Sequence, residues 1–401
     1  MKKNISVLHI IKTNTGAIWA YRQIAQLIRM GIKITVMLPQ GDTGLALKYQ
    51  ELGIKVIEFD ASLPIRAPWL MHRRMSAFQS IIEELKPDLI HCHFVTNIMF
   101  CRFTLRKSTI PRLFQVPGPL HLDNILFRYA EVLSGNQYDY WAGSCHNTCR
   151  IYQSMGIPRE RIFFGYYAGD FDQYARQSRR TGILRKEYHI PEKTFLIGMV
   201  SYFYKPKRYL LQFSGIKGHE DFIKAFALLL KQYPDARAVI IGGAAPHSER
   251  YQSHIMSMAR KRCGDAIIFT GFREDILKIY PDLDLAVHPS RSENYGGCGE
   301  SLAMGVPTLT TDVGGFPELI KDKVTGYMVP AADPIRLYQK LDYIMKHREE
   351  AKLTALKGQK RVRKINSRLS AEQARSMYYR ILGRRIKVVR RSVQRFKGSV
   401  I

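Results

Sequence analysis

Two glutamates, Glu293 and Glu300, bracket a loop of small residues in "SENYGGCGESLAMGVPTLTT", residues 292–311. A carboxylate can accept two hydrogen bonds from a vicinal diol such as ribose. Gly296, Gly297 and Gly299 carry no Cβ, so the backbone amides beside them can come close to a phosphate. The residues that follow read as a helix beginning near Glu300, and a helix N-terminus offers free N–H groups and a partial positive charge to an anion. Hydroxyl acceptors beside anion-binding amides suit a ligand that carries both sugar and phosphate. The plainer reading is an acidic, glycine-rich loop whose glutamate complements a helix terminus. Two Asp-x-Asp triplets, at 170–172 and 282–284, have the composition of metal sites. Aspartate at the start of a linker or a strand commonly caps or turns the chain, so no metal is expected at either. His91 and His93 in "DLIHCHF" have strand spacing, which turns both rings to one face, where hydrogen bonds usually satisfy them.

The elements that must position this loop show in the apolar pattern. "ISVLHII", "IKITVML", "IKVIEF", "DLIHCHF", "PRLFQV", "YDYWAGS" and "RIFFGYY" recur with amphipathic stretches between them. Strands this apolar are covered on both faces, and connections long enough for a helix make a parallel, doubly wound sheet. One such helix is predicted over Ala17 to Met30, with Ile18, Tyr21, Ile24, Leu27 and Ile28 on one stripe and Gly31 just beyond its end. A polar, basic stretch from Asp170 to Lys193 reads as a linker, after which "FLIGMVSYF", "ARAVIIGG", "AIIFTGF", "LDLAVHPS", "VPTLTT" and "TGYMVP" form a second series. The predicted architecture is α/β, with two Rossmann-like doubly wound domains facing each other across a cleft. The first spans 1–175 and the second 176–365; a helical segment over 366–401 crosses back to the first domain and ends in a basic tail. The glutamate loop follows "LDLAVHPS", at the carboxyl end of a parallel strand, where open α/β sheets bind ligands.

The stretch "SENYGGCGESLAMGVPTLTTDVGGFPELI" resembles the signature of the GT-B retaining glycosyltransferases of family 4 (glycosyl transferases group 1), in which an acid, a glycine-containing loop, a second acid and a "GVP" strand bind a nucleotide-sugar donor. "GIKGHEDFIKAFALLLKQYPDARAVIIGG" and "IIFTGFREDILKIYPDLDLAVHPS" are similar to preceding segments of that donor domain, and "KPDLIHCHF" to a strand of its acceptor domain, so the likeness covers nearly the whole chain. The resemblance implies that Glu300 binds the ribose hydroxyls and Glu293 reaches hydroxyls of the donor sugar, with Asn294, Gly296 and Gly297 beside the sugar and diphosphate. It further implies that Lys217 neutralises the diphosphate and that Arg273 lies near the base. The sequence departs from the family at four points. Six residues separate the two acids where the family has seven. Tyr202 stands in place of an arginine, and the inserted "YKPKRYLLQFSGI" before Lys217 offers Arg208, Lys207 or Lys205 instead. The paired glycines of the first βα loop are here Gly16 and Ala17. Pro117 occupies the place of the family's active-site histidine, leaving His121 as the substitute. Catalysis is thus expected of Lys217, Glu293 and His121, and donor binding of Glu300, Asn294, Gly296, Gly297, Arg273, Arg208 and Gly16.

The expected reaction is transfer of a hexose, with retention, from a nucleotide-diphosphate sugar to a carbohydrate or lipid-linked carbohydrate in cell-surface polysaccharide biosynthesis, without cofactor or metal. The net charge of +28 is unevenly spread, and the last 36 residues carry ten basic side chains and one acidic. The tail "GRRIKVVRRSVQRFKGSVI" sets its cations around Ile386, Val388, Val389, Val393 and Phe396, the form either of an interfacial segment on an anionic membrane or of a basic helix packed on the first domain. No apolar run approaches the roughly 18 residues of a membrane span, and "MKKNISVLHII" is too short for a secretory leader. The expectation is a cytoplasmic protein, peripheral at the inner face of the membrane. Six scattered cysteines form no CxxC pair. A nucleotide-sugar epimerase of the same architecture is the rival enzyme, acting without an acceptor. A nucleic-acid-binding protein would explain the charge but lacks any helix-turn-helix, zinc-finger or RNP-like pattern, and a dehydrogenase lacks the GxGxxG after its first strand.

Overall fold

In the computed structural model, which describes residues 5–383 apart from 42–43, 66, 168, 170, 172–173, 175–179 and 209–211, all seven apolar runs of the first half become strands. These are β1 (Ser6–Ile10), β2 (Lys33–Leu38), β3 (Lys55–Glu58), β4 (Leu89–His93), β5 (Arg112–Val116), β6 (Asp139–Gly143) and β7 (Ile162–Phe164). They form one parallel sheet in the order β3-β2-β1-β4-β5-β6-β7. The second half gives β8 (Leu196–Val200), β9 (Arg237–Ile241), β10 (Ile267–Gly271), β11 (Leu285–His288), β12 (Thr308–Thr311) and β13 (Tyr327–Val329), a parallel sheet in the order β10-β9-β8-β11-β12-β13. Both faces of each sheet are covered. Val7, Ile24, Leu27 and Val36 fill one side of the first and Leu8, Phe78, Phe100 and Phe114 the other. Burial on two sides explains why these strands read as unbroken apolar runs instead of alternating ones.

Each sheet reverses its strand order once, between β1 and β4 and between β8 and β11. Neighbouring strands whose connections leave in opposite directions open a crevice at their carboxyl ends. In the second sheet β8 and β11 pair directly, Leu285 with Ile197 and Ala286 with Gly198. The loop after β8, which leads to Lys217, therefore lies beside the loop after β11, which carries Glu293.

The helix predicted over 17–30 is Ile18–Arg29. The helix Ser367–Ile381 packs on it from the far end of the chain, with Gln23 Nε2 donating to Ser370 Oγ at 2.9 Å. The same helix carries Tyr378, whose hydroxyl lies 3.1 Å from His9 Nε2 and 2.7 Å from His91 Nδ1. His91 and His93 do share a face, their ring centroids 4.2 Å apart, and His9 of β1 joins them. Every ring nitrogen of the three has a hydrogen-bond partner, from one another, Tyr378, Tyr167 or Gln115.

The triplet 282–284 is used structurally. Asp282 accepts from the amides of Thr181, Gly182 and Leu184, and Asp284 pairs with Arg180 and Arg185. These two aspartates fasten the end of the linker, including the short helix Ile183–Glu187, to the second domain. Asp170, Asp172 and the basic tail 384–401 lie outside the described residues. Among those described, no helix is long and apolar enough to cross a membrane.

Candidate active site

Lys217 and Glu293 meet as an ion pair at the mouth of the crevice, their side chains 20 and 16% exposed. The chain can bring them together because Gly218, at φ +74°, passes so close to the Pro289 carbonyl that a Cβ would collide with it. The loop after β11 is shorter than the sequence reading made it. The helix starts at Gly296, four residues before Glu300, and runs to Ala303. Gly296 and Gly297 are therefore its first turn, and their free N–H groups are the anion-facing end. A Cβ on Gly297 would come within 2.9 Å of the Tyr280 hydroxyl and 3.0 Å of the His288 ring. The position has no room for a side chain.

Glu300 sits one turn further in, on the wall of a cavity of about 260 Å³ that Tyr202, Tyr204, Lys217, Phe272 and Arg273 also line. Its carboxylate accepts from the hydroxyls of Tyr174 at 3.3 Å and Tyr280 at 3.5 Å. Burial raises its pKa above the ordinary 4.5, opposed by the Tyr174 hydrogen bond and by the charge of Arg22. Tyr202 and Phe272 stand as near-parallel rings with centroids 6.2 Å apart at the outer end of this cavity. They are 44 and 60% exposed, an aromatic surface that a nucleobase could cover. His219 and His288 lie beneath Lys217, and burial, then the lysine charge, lowers both to about 3. Two neutral imidazoles leave Lys217 as the positive charge at this point.

The structure brings together Lys217, Glu293, Asn294, Gly296, Gly297 and Glu300. Asn294 donates its backbone N–H to Glu293 Oε1 at 3.1 Å. Arg273 is on the cavity wall, but its guanidinium is already bound on both edges, to Glu187 at 2.7 and 2.8 Å and to Asp275 at 2.8 and 2.8 Å. It shapes the base end of the cavity instead of offering free donors. Arg208 is exposed and outside the cavity walls. Gly16 is in the first-domain loop at φ +78°, with no atom within 4 Å of where a Cβ would stand. His121 is 8% exposed and faces inward, 3.7 Å from Glu131, which Arg102 and Trp141 also hold. Burial first, partly offset by Glu131, lowers it to about 4, so it is a neutral core residue beneath the helix Ile125–Leu133.

Tyr174, Tyr280 and Arg22 around Glu300 were missed. They come from three distant segments, and Tyr280 alone carried a signal, lying in "KIYPDLD" just ahead of β11. The two domains meet across this site. The Tyr295 hydroxyl donates to the Ser144 carbonyl at 2.9 Å, and a Cβ on Gly118 would lie 3.8 Å from the Asn294 nitrogen.

Two doubly wound parallel sheets, each reversing its order where it faces the other, with a lysine, helix-terminal amides and a buried carboxylate in the crevice, define a GT-B architecture. The chain belongs to the glycosyltransferases of this fold: residues 183–361 match the family described as glycosyl transferases group 1, and residues 16–164 match glycosyltransferase family 4. It is 23% identical over 316 residues to the N-acetyl-alpha-D-glucosaminyl L-malate synthase of Bacillus anthracis, covering 77% of this chain and 78% of that one. It is 35% identical over 121 residues to the lipopolysaccharide core biosynthesis mannosyltransferase LpsB of Rhizobium meliloti, covering 29 and 34%. Among solved structures, Anabaena HepE in complex with UDP superposes with a TM-score of 0.75 at 17% identity, covering 94% of this chain and 99% of that one.

Proposed function

We propose that this glycosyltransferase moves a hexosyl group, with retention, from a nucleotide-diphosphate sugar to a carbohydrate acceptor in the assembly of a cell-surface polysaccharide or glycoconjugate. The observation that carries this reading is the convergence of Lys217 Nζ and the first-turn amides of Gly296–Ala303 at the mouth of the cavity that Glu300 lines. In it the nucleoside lies along Tyr202, Phe272 and Glu300, and the diphosphate meets the lysine and the helix terminus. UDP bound to a protein of the same fold supports a uridine diphosphate as the first donor to test.

The ion pair then has a simple role. An arriving diphosphate competes with Glu293 for Lys217, and a carboxylate released from that pair can accept a hydroxyl of the donor sugar. As the bond from the anomeric carbon to the diphosphate oxygen breaks, the electron pair leaves with the diphosphate, where Lys217 and the helix amides stabilise it. The acceptor oxygen forms the new glycosidic bond on the same face, and its proton passes to the departing phosphate oxygen. Asp282 and Asp284 are committed to the linker, so basic groups and amides carry this charge in the proposed reaction.

The test is a thermal-shift screen of nucleotide sugars, followed by transfer assays before and after EDTA. A ligand at 100 times its Kd stabilises by about 2.7 kcal/mol, which is readily seen. Stabilisation by a nucleotide sugar with EDTA-resistant transfer is expected. No response to any nucleotide sugar contradicts the donor site, and activity lost to EDTA and restored by magnesium or manganese contradicts the metal-free step.

A further inference from the structure

Beside the donor cavity lies a second cavity of about 280 Å³ between the domains. Leu120, Asp123 and Asn124, from the segment after β5, form one wall, and Phe213, Ile216 and Ser292 of the second domain form the other. Ile216 precedes Lys217 and Ser292 precedes Glu293, so the backbone that carries the ion pair also forms part of this cavity's wall. Its polar groups suit a neutral polyol. Arg291, the cation in its wall, is engaged in two 2.9 Å hydrogen bonds to Asp221. Asp123 is the acid, with the Ser292 hydroxyl donating to it and surrounding protein raising its carboxyl above the usual value. Phe213 stands at the rim with its side chain 83% exposed. A carboxylate and an open aromatic ring lining one sugar-sized space are a combination that recognises hydroxyls and the apolar face of a pyranose at once.

The cavity continues onto an apolar surface. Asn124, in its wall, is also the N-cap of the helix Ile125–Leu133, its side chain accepting from the amides of Leu126 at 2.9 Å and Phe127 at 3.4 Å. That helix is fixed from below by Glu131, which is buried with Arg102 and Trp141. Above, it turns Ile125 (62%), Leu126 (73%), Tyr129 (61%) and Leu133 (79%) to solvent. At helical spacing these four occupy one arc of about 100°. Four large apolar side chains grouped on one face, and continuous with a polar cavity, form a patch that calls for an apolar occupant.

We infer that the acceptor is an amphiphilic saccharide whose sugar enters this cavity, donating a hydroxyl hydrogen bond to Asp123 and packing on Phe213, while its apolar aglycone lies along Ile125, Leu126, Tyr129 and Leu133. The inference rests on the proposed donor site, because it places the acceptor hydroxyl at the Lys217–Glu293 pair. Asp123 is a positioning residue for the acceptor, and the helix selects for the aglycone.

The test uses the full chain carrying Phe213→Trp as a fluorescent reporter, with a stabilising nucleoside diphosphate present. Octyl and methyl glycosides of the common hexoses are titrated, the octyl series below its micelle threshold. The octyl glycoside of at least one sugar is expected to give a saturable change at roughly one tenth the concentration of its methyl partner, since each buried methylene contributes to affinity. Asp123→Asn in the same background is expected to weaken both by about tenfold, the loss of a charged hydrogen-bond acceptor. Leu126→Ser and Leu133→Ser are expected to weaken the octyl series and leave the methyl series as it was. Each variant is first shown to keep its nucleotide-dependent thermal stabilisation. No saturable signal from any glycoside overturns the inference, as does equal affinity for octyl and methyl series or an Asp123→Asn titration that matches its parent. If instead no nucleoside diphosphate stabilises the starting protein, the donor-site reading itself has failed.

Discussion

Glu300 is a carboxylate placed where its charge is costly, and its hydroxyl partners and the charge of Arg22 make that tolerable. Tyr174 and Tyr280 occupy it in the structure, and ribose hydroxyls would take their place or join them. Hydroxyl donors need the ionised carboxylate, and burial raises the pKa above 4.5. Donor affinity should therefore fall as pH drops towards that raised value, at a pH where an ordinary glutamate would still be charged. Glu300→Gln should weaken nucleotide binding by about 1–3 kcal/mol and flatten this pH dependence; calorimetric titration from neutral pH downward measures both. An unchanged slope in the variant would mean that another group governs binding. At this scale the sequence was half legible. Spacing along one segment exposed Glu293, Glu300 and the glycines, because they share a loop. It could not expose Arg22 or Tyr174, which reach Glu300 only through the packing of separate elements, nor the partners that occupy Arg273. His121 was misplaced for a related reason: its ring meets Glu131, ten residues further on, and that contact turns it into the core.

The elements were the most legible level, because burial on both faces writes itself as continuous apolar runs. Each run became a strand in the order that doubly wound sheets follow. The exception was the start of the helix Gly296–Ala303. Glycines have low helix propensity, so they were read as loop, but the tight approach of Tyr280 and His288 at Gly297 demands a residue without a side chain and overrides that preference. The linker shows the opposite case, where polar composition concealed an ordered attachment. Asp282 is fully buried and serves three backbone amides. Asp282→Ala would leave those donors unpaired and should lower folding stability by about 3 kcal/mol or more, since each orphaned buried donor costs about 1–3. Urea unfolding measures it, and a loss under about 0.5 kcal/mol, the scale of a surface change, would show that water or a shifted loop replaces the carboxylate.

Over the whole molecule, buried neutral histidines set an acid limit. His9, His91 and His93 in the first domain, and His219 and His288 in the second, are all held well below 6.5 by burial. Below pH 6.5 the unfolded chain binds protons on these residues and the folded chain does not. The stability they contribute is complete above that value and is lost as pH falls towards about 3, the folded value of His91, His219 and His288. Each costs about 1.4 kcal/mol per pH unit well inside this window. Glu300 and Asp123, shifted upward, work in the opposite direction, while His121, lowered to about 4, adds to the five. The urea midpoint should thus drop clearly between about pH 7.5 and 5.5, and a flat profile would show that these rings already take up protons in the folded state. Domain arrangement, by contrast, was readable in outline only: two apolar series implied two sheets, while the closeness of Gly118 to Asn294 and of Tyr295 to Ser144 depends on surfaces that no periodicity describes. The central claim is that the crevice between those sheets stabilises a departing diphosphate through Lys217. The direct measurement is steady-state turnover of the stabilising nucleotide sugar by the native chain and by Lys217→Ala. Removing one preorganised charge from the leaving group should lower kcat by 100-fold or more, about 3 kcal/mol, with the fold intact. Native turnover in Lys217→Ala would contradict the account.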